Sequence, residues 1–393
     1  MSPSSEAVPT PRIYLDNNAT TPIHPRVADA LRPFLNGLFG NPSSLHFAGR
    51  DVKHSYEAAR EDIAAMIGAR VDDIIITSCG SEADNHAIKG IAYAAGKGHI
   101  ITSTVEHPAV LNCCRYLETR GFAVTYLPVD GHGLVDPGDV KDSIRKDTIL
   151  ISIMYANNET GTVMPIGDIA AIARGKGIPF HSDMVQALGK IDVDIGALGV
   201  DLASFSGHKV YAPKGVGALY AREGLPLDSL VHGGHQESGR RAGTENVIGI
   251  VAFGKACELA RREMVERKGM IERLRGRLLD GILERIDHVR LNGHPLLRVP
   301  NTLNLSFEFV ESESLLLALD MKGVAVSSGS ACSSGSSEPS HVLLAMGIPG
   351  PLCQSALRFS LGRDNTEADV DYVLDILPGI VARLREMSPF YKG

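Results

Sequence analysis

Nowhere does the 393-residue sequence approach the run of about 18 uninterrupted apolar residues that a membrane-spanning helix requires. Positive charge is not in excess: 39 Lys and Arg stand against 46 Asp and Glu, a formal net charge of −7. A chain of that sign has no electrostatic case for binding nucleic acid, and anionic membrane surfaces are disfavoured for the same reason. None of the six cysteines, Cys79, Cys113, Cys114, Cys257, Cys332 and Cys353, falls in a CxxC or CxxH pattern, so structural zinc lacks its ligand pairs. A disulfide framework is not expected in so long a chain without a secretory signal. The opening residues, MSPSSEAVPTPR, have neither a basic head nor an apolar core, and read as a loose tail rather than a signal peptide. Internal repeats, a GxGxxG loop and a Walker loop are missing as well. These absences leave a soluble, cytoplasmic chain with reduced thiols.

What is present is a globular composition, 44% apolar and 22% charged, with 41 glycines, more than the usual share of about 7% and a sign of many tight turns. The length implies two domains. Short apolar runs alternate with longer amphipathic segments. Strands are predicted over 73–77, 99–103, 122–127, 148–154, 178–181, 201–205 and 216–220, with helices over 82–95, 108–119 and 166–174. Such alternation predicts an α/β fold, a mainly parallel sheet with helices on both faces. Beyond residue 246 the pattern becomes a long helix to 286, strands at 302–307, 324–326 and 355–361, and helices at 313–321 and 367–386, a smaller α+β unit. The predicted division is an N-terminal segment over 1–17 packing with the small domain, a large domain over 18–260, and a small C-terminal domain over 261–393.

Six short segments could carry chemistry. In SFSGHK (204–209), Lys209 at a strand end could serve as a nucleophilic amine toward a carbonyl, pyridoxal phosphate included, or be a surface lysine in a turn. In FHSDMVQ (180–186), Asp183 could hold the protonated nitrogen of a pyridoxal ring, or cap a following helix. TSCGSEADN (77–85) could expose backbone N–H groups to a phosphate, or be an ordinary capped turn. His107 in VEHPAV could stack on a flat cofactor and move protons, or be structural. In LRFSLGR (357–363), Arg358 and Arg363 could clamp a carboxylate, surface salt bridging being the alternative and fitting Arg363 better. Cys332, within SSGSACSSGSS (327–337), could be a nucleophilic thiol in a flexible setting or part of a linker; the other cysteines read as small buried hydrophobes. Together the segments describe a pyridoxal-phosphate enzyme that handles an amino acid through sulfur.

The chain resembles the NifS/IscS-type cysteine desulfurases from YLDNNATTP (14–22) to LRFSLGR (357–363), through GNPSSLH (40–46), EADNHAIKG (82–90), EHPAV (106–110), MYANNETGTVMPI (154–166), FHSDMVQALGKIDVD (180–194), SFSGHKVYAPKGVGALY (204–220), GGHQESGRRAGTENV (233–247) and SSGSACSSGSSEPSHVL (327–343). The resemblance implies the fold of type I pyridoxal-phosphate transferases, a homodimer with shared sites, and pyridoxal 5′-phosphate as cofactor. It implies Lys209 as Schiff-base lysine and mover of the Cα proton, Asp183 as partner of the ring nitrogen, and Gln186 as donor to the ring hydroxyl. Gly80, Ser81, Ser206 and His208 resemble the phosphate cradle, and Thr244 the phosphate ligand lent by the other subunit. His107 resembles the ring-stacking acid/base, Asn158 and Arg358 the substrate carboxylate site, and Cys332 the nucleophile that becomes a persulfide while L-cysteine leaves as L-alanine. An iron–sulfur scaffold protein is the implied sulfur acceptor. No resident metal is implied, Cys332 meeting a cluster only transiently through its persulfide. The chain departs from the family at Cys79-Gly80-Ser81, where Gly-Gly-Thr or Gly-Ala-Thr is common, which places an extra thiol near the cofactor.

Overall fold

The computed structural model describes residues 12–328 and 339–391. In chain order its strands are β1 (Ile13–Tyr14), β2 (Ile74–Thr77), β3 (His99–Ser103), β4 (Ala123–Leu127), β5 (Thr148–Ser152), β6 (Phe180–Asp183), β7 (Leu202–Ser206), β8 (Gly217–Ala221), β9 (Val289–Asn292), β10 (Thr302–Phe307), β11 (Val324–Ala325), β12 (Ser327–Ser328) and β13 (Ala356–Ser360). Strands β2 to β8 form one sheet in the order β2-β8-β7-β6-β5-β3-β4. Its neighbours from β7 through β4 pair in parallel, while β8 runs antiparallel to both β7 and β2. The alternation of strands and helices thus gives the expected mainly parallel sheet, with one reversed member. The reversal has a local cause: the link over 207–216 is too short for a helical crossover, which takes about a dozen residues or more.

The apolar strand runs are explained by burial on both faces. Successive side chains alternate between two cores, as a two-residue period requires. Ile74, Ile76, Ile101, Ile151 and Phe205 join one cluster; Ile75, Ile100, Leu150 and Leu202 join the other. A third core lies on the four-stranded antiparallel sheet β12-β13-β10-β9, where Leu303, Leu305, Phe307, Leu357 and Phe359 pack on Val370, Leu374 and Leu377 of the helix Glu367–Glu386. The 39-residue helix Val247–Arg285 serves two of these cores: Ile250, Phe253 and Cys257 enter the first, Ile271, Leu274, Leu278 and Ile282 the third. The N-terminal strand β1 pairs in parallel with β11, and Leu15 is buried in the third core. No helix among the described residues is long and apolar enough to cross a membrane.

Two helices cross closely where Gly254 meets Ala59 of the helix Phe47–Met66. A Cβ at Gly254 would lie 2.5 Å from the Cα of Ala59 and 2.6 Å from its carbonyl oxygen, contacts that only backbone movement can relieve. Gly254→Val is therefore expected to destabilise the protein by about 1–3 kcal/mol. A lower midpoint in thermal unfolding is the readout, and an unchanged midpoint would show that the helices part without cost.

The carboxyl ends of β3, β5, β6 and β7 lie side by side in the sheet, the position at which open α/β sheets bind ligands. The segments that leave these ends hold most of the residues singled out from the sequence.

Candidate active site

Strand β6 delivers Asp183, which is 6% exposed. Its Oδ1 accepts the Val185 N–H at 2.9 Å, but in a turn and not at a helix start, since the next helix begins only at Ile195, and the carboxyl also borders a cavity. Burial raises its proton affinity to a pKa of about 6, against the opposing effects of that hydrogen bond and of Lys209. Beyond β3, His107 caps the helix Pro108–Glu118, its Nδ1 accepting the Ala109 N–H at 3.1 Å. Burial first, then the charges of Lys209 and His341, lower its pKa to about 4, so the ring is neutral at pH 7 and carries its proton on Nε2. One side-chain atom from each of Asp84, His107 and Asp183 lies within 4.8 Å of the others. The loop before His107 is held by Glu106, whose carboxyl accepts the Ser103 hydroxyl at 2.6 Å and the Met154 N–H at 3.0 Å.

Strand β7 runs into Ser206 and the 3-10 turn Gly207–Lys209. The Lys209 Nζ donates to the carbonyl oxygens of Asn18 at 2.5 Å and Ala19 at 2.8 Å. His208 reaches Thr20 Oγ1 through Nδ1 at 3.1 Å, and burial, then Lys209 and Lys214, lower its pKa to about 4. The helix Gly80–Ala95 begins beside these residues. Its N-cap, Cys79, makes no side-chain capping bond, so the first turn keeps free donors for an anion. Gly80 is required there, because a Cβ would come within 2.8 Å of Val185 Cγ2. Ser206 Oγ is buried and has no hydrogen-bond partner among the described residues. An uncapped helix start packed closely on Ser206 through Gly80 and an unpartnered hydroxyl together fit a phosphate.

Arg358 comes from β13 of the other sheet and is 2% exposed. Its Nη2 pairs with Asp16 Oδ1 at 2.8 Å and its Nη1 donates to the Asn158 carbonyl oxygen at 3.0 Å, while Nε has no partner among the described residues. Gly80, Ser81, His107, Asn158, Asp183, Gln186, Ser206, His208, Lys209 and Arg358 all border one cavity of about 310 Å³.

Three residues singled out from the sequence are not among those that border the cavity. Arg363 does not border the cavity and pairs with Asp364 at 3.3 Å, the surface salt bridge that was its alternative. Thr244 is exposed and away from this cavity. Cys332 lies outside the described residues, but the chain on either side of 329–338 is at the site. Ser327 pairs with Arg358, Ser340 donates to Glu159 Oε2 at 2.5 Å, and His341 Nε2 contacts the Glu106 carbonyl oxygen at 3.0 Å. Among the other cysteines, Cys113, Cys114, Cys257 and Cys353 are buried as expected; Cys79 is not, and borders the cavity, because it stands at an uncapped helix start.

The sequence reading missed Asp16, Asn18, Asp84 and Lys190. Asn18 is the hub of the site. Its side-chain nitrogen donates to the Asn158 carbonyl oxygen at 3.1 Å and Thr302 Oγ1 at 2.8 Å, and its own carbonyl oxygen accepts Lys209. The only sequence signal was the run Asp16-Asn17-Asn18, polar residues following a strand.

The aminotransferase class-V family model matches residues 13–373. The chain belongs to that family, among the NifS/IscS-type cysteine desulfurases. It is 53% identical over 379 residues to the cysteine desulfurase IscS of Methanosarcina thermophila, covering 96% of this chain and 94% of that one. A solved NifS-like protein superposes with a TM-score of 0.89 at 39% identity, over 95% of this chain and all of the other. A second solved structure, SspA in complex with cysteine, superposes with a TM-score of 0.78 at 37% identity, over 90% and 100% of the two chains.

Proposed function

We propose that this protein takes the sulfur atom from L-cysteine with pyridoxal 5′-phosphate as cofactor, releases L-alanine, and passes the sulfur from a Cys332 persulfide to an iron–sulfur scaffold protein. The observation that carries this reading is the convergence on one cavity of Lys209, Asp183 and His107 with the unpartnered Ser206 hydroxyl at an uncapped helix start. When bound, pyridoxal phosphate supplies an electron-withdrawing ring that acidifies the Cα of an attached amino acid.

Each residue then has a task of its own. Ser206, Ser81, His208 and the N–H groups around Gly80 hold the phosphate. Asp183 keeps a proton on the ring nitrogen, and Gln186 donates to the ring hydroxyl. His107 packs against the ring and, neutral, exchanges a proton through Nε2. Lys209 carries the cofactor covalently and moves the Cα proton. Arg358, pinned by Asp16 at the cavity wall, takes the substrate carboxylate, with Asn158 beside it. Cys332 attacks the substrate sulfur as a thiolate: the carbon–sulfur bond breaks, a sulfur–sulfur bond forms, and alanine leaves with the carbon skeleton and an added proton, so no outside oxidant is consumed.

We also read the protein as a cytoplasmic homodimer. Leu35, Phe39, Leu45 and Phe47 are 67%, 81%, 91% and 70% exposed within thirteen residues, an apolar stretch that a second copy would cover, and exposed Thr244 suits a ligand lent to the partner's phosphate. The unpaired state of the five described cysteines fits a reducing compartment.

Incubation of the purified protein with L-cysteine tests the activity: alanine and reductant-releasable sulfur are expected in equal amounts, and no alanine would overturn the reading. Asp183→Asn is expected to keep the cofactor bound but slow turnover on the order of 10²-fold or more, since a neutral amide cannot hold the ring nitrogen protonated. An unchanged rate would leave Asp183 as a turn cap only.

A further inference from the structure

Gln186 is 5% exposed and borders the cavity. Its side-chain oxygen accepts a hydrogen bond from Lys190 Nζ at 2.5 Å, and its side-chain nitrogen donates to the Asn18 carbonyl oxygen at 3.0 Å. These two contacts admit a single orientation of the amide. A carbonyl oxygen only accepts, so the group facing Asn18 is the nitrogen, and the oxygen is left to the lysine. The Gln186 oxygen is thereby engaged, and an N–H remains for whatever fills the cavity.

Lys190 makes two side-chain hydrogen bonds, the first of them to Gln186. Its second contact is to Asn18 Oδ1 at 3.0 Å, which also accepts from Asn301 Nδ2 at 3.0 Å. The Asn18 amide is itself oriented by its nitrogen's bonds to Asn158 and Thr302. Lys190 thus meets one amide oxygen, that of Asn18, whose direction other bonds have set, and one, that of Gln186, whose direction its own bond sets together with the Asn18 carbonyl. The charges that act on it are those of Lys209, Arg358 and Arg267, all positive, and with burial they press its pKa well below the ordinary range. A buried amine among cations is not there to form an ion pair; it serves as a hydrogen-bond donor.

We propose that Lys190 is a positioning residue that locks the Gln186 amide with its nitrogen toward the cavity, so that the site selects a ligand with a hydrogen-bond acceptor there, the hydroxyl oxygen of the pyridoxal ring. This rests on the proposed cofactor. Lys190 touches neither cofactor nor substrate in this account and acts through Gln186.

The test compares affinities within each protein. Full-length apoprotein is titrated with pyridoxal 5′-phosphate and with 3-deoxypyridoxal 5′-phosphate, which lacks the ring hydroxyl. The wild type is expected to prefer the parent compound roughly tenfold, the worth of one hydrogen bond. In Lys190→Met, of similar length but without a donor, that preference is expected to fall toward unity, whereas Lys190→Arg, which keeps a donor, retains it. A general loss of stability moves both affinities alike and leaves the ratio untouched. A wild-type ratio in Lys190→Met overturns the proposal, as does a wild type that binds both compounds equally. A wild type that binds neither takes down the cofactor reading itself, a result distinct from the other two.

Discussion

Lys209→Ala is expected to end the formation of alanine from L-cysteine, with a fall of at least about 10³-fold, because in the proposed mechanism one substitution removes both the amine that carries the cofactor and the base at Cα. The amine's present setting explains why the loss is specific. Two carbonyl oxygens, of Asn18 and Ala19, hold Nζ at the cavity wall, and the positive charge there acts on Asp183, His107 and His208. The proposed phosphate cradle does not depend on it: the helix Gly80–Ala95 and Ser206 keep their places through β2 and β7, which are paired to β8 along their lengths. The variant is therefore expected to retain cofactor without a covalent link, released on denaturation and not fixed by borohydride. Alanine formation at the wild-type rate would remove Lys209 from the proposed mechanism.

The fold was legible where short, near-continuous apolar runs alternate with amphipathic segments. The runs around Ile74–Thr77, His99–Ser103 and Thr148–Ser152 are apolar because each faces a core on both sides, and the structure keeps them as strands. The direction of β8 was not legible from its composition. It is decided by the length of the preceding link, a constraint that acts between strands and not within one. The helix Phe47–Met66 escaped notice because its buried side includes small residues, Gly49, Ala59 and Ala64, which give little apolar periodicity.

The site divides in the same way. Arg358 and Arg363 are the same residue type five positions apart, yet one is buried beside the cavity and the other pairs with Asp364. Strand β13 explains the difference, since Arg358 lies within it and Arg363 beyond its end. Asp183 reads from sequence as either a helix cap or the carboxylate at a pyridoxal ring nitrogen, and its two oxygens allow both the bond to Val185 and a place at the cavity. Asn18 and Lys190 could not be found from local pattern. Asn18 matters through bonds to Lys209, Gln186, Lys190 and Asn158, at least 140 positions away, and a polar residue after a short strand reads as a turn until those partners are known.

The second large effect is expected at Cys332, and it separates the two halves of the reaction. Cys332→Ser is expected to stop sulfur transfer, a loss on the order of 10³-fold or more, since serine's hydroxyl is a far weaker nucleophile than a thiolate near neutral pH. Cofactor binding, and the change in its absorbance when cysteine is added, should persist, because every residue proposed to hold the cofactor lies elsewhere. The remaining thiols narrow what else could accept the sulfur. Burial raises the proton affinities of Cys113, Cys114, Cys257 and Cys353, that of Cys113 to a pKa of about 12, so these stay protonated and enclosed. Cys79 is the exception, half-buried and at the cavity wall. The described chain on either side of 329–338 returns to the same region: Ser327 pairs with Arg358, and Ser340 and His341 bond to Glu159 and Glu106, next in sequence to Asn158 and His107. Mass spectrometry after a single turnover reads the outcome. Wild-type protein should carry one extra sulfur on Cys332, removable by a reductant, and the serine variant none; an extra sulfur on Cys79 in either protein would transfer the nucleophile's role to the helix start and leave SSGSACSSGSS as a linker.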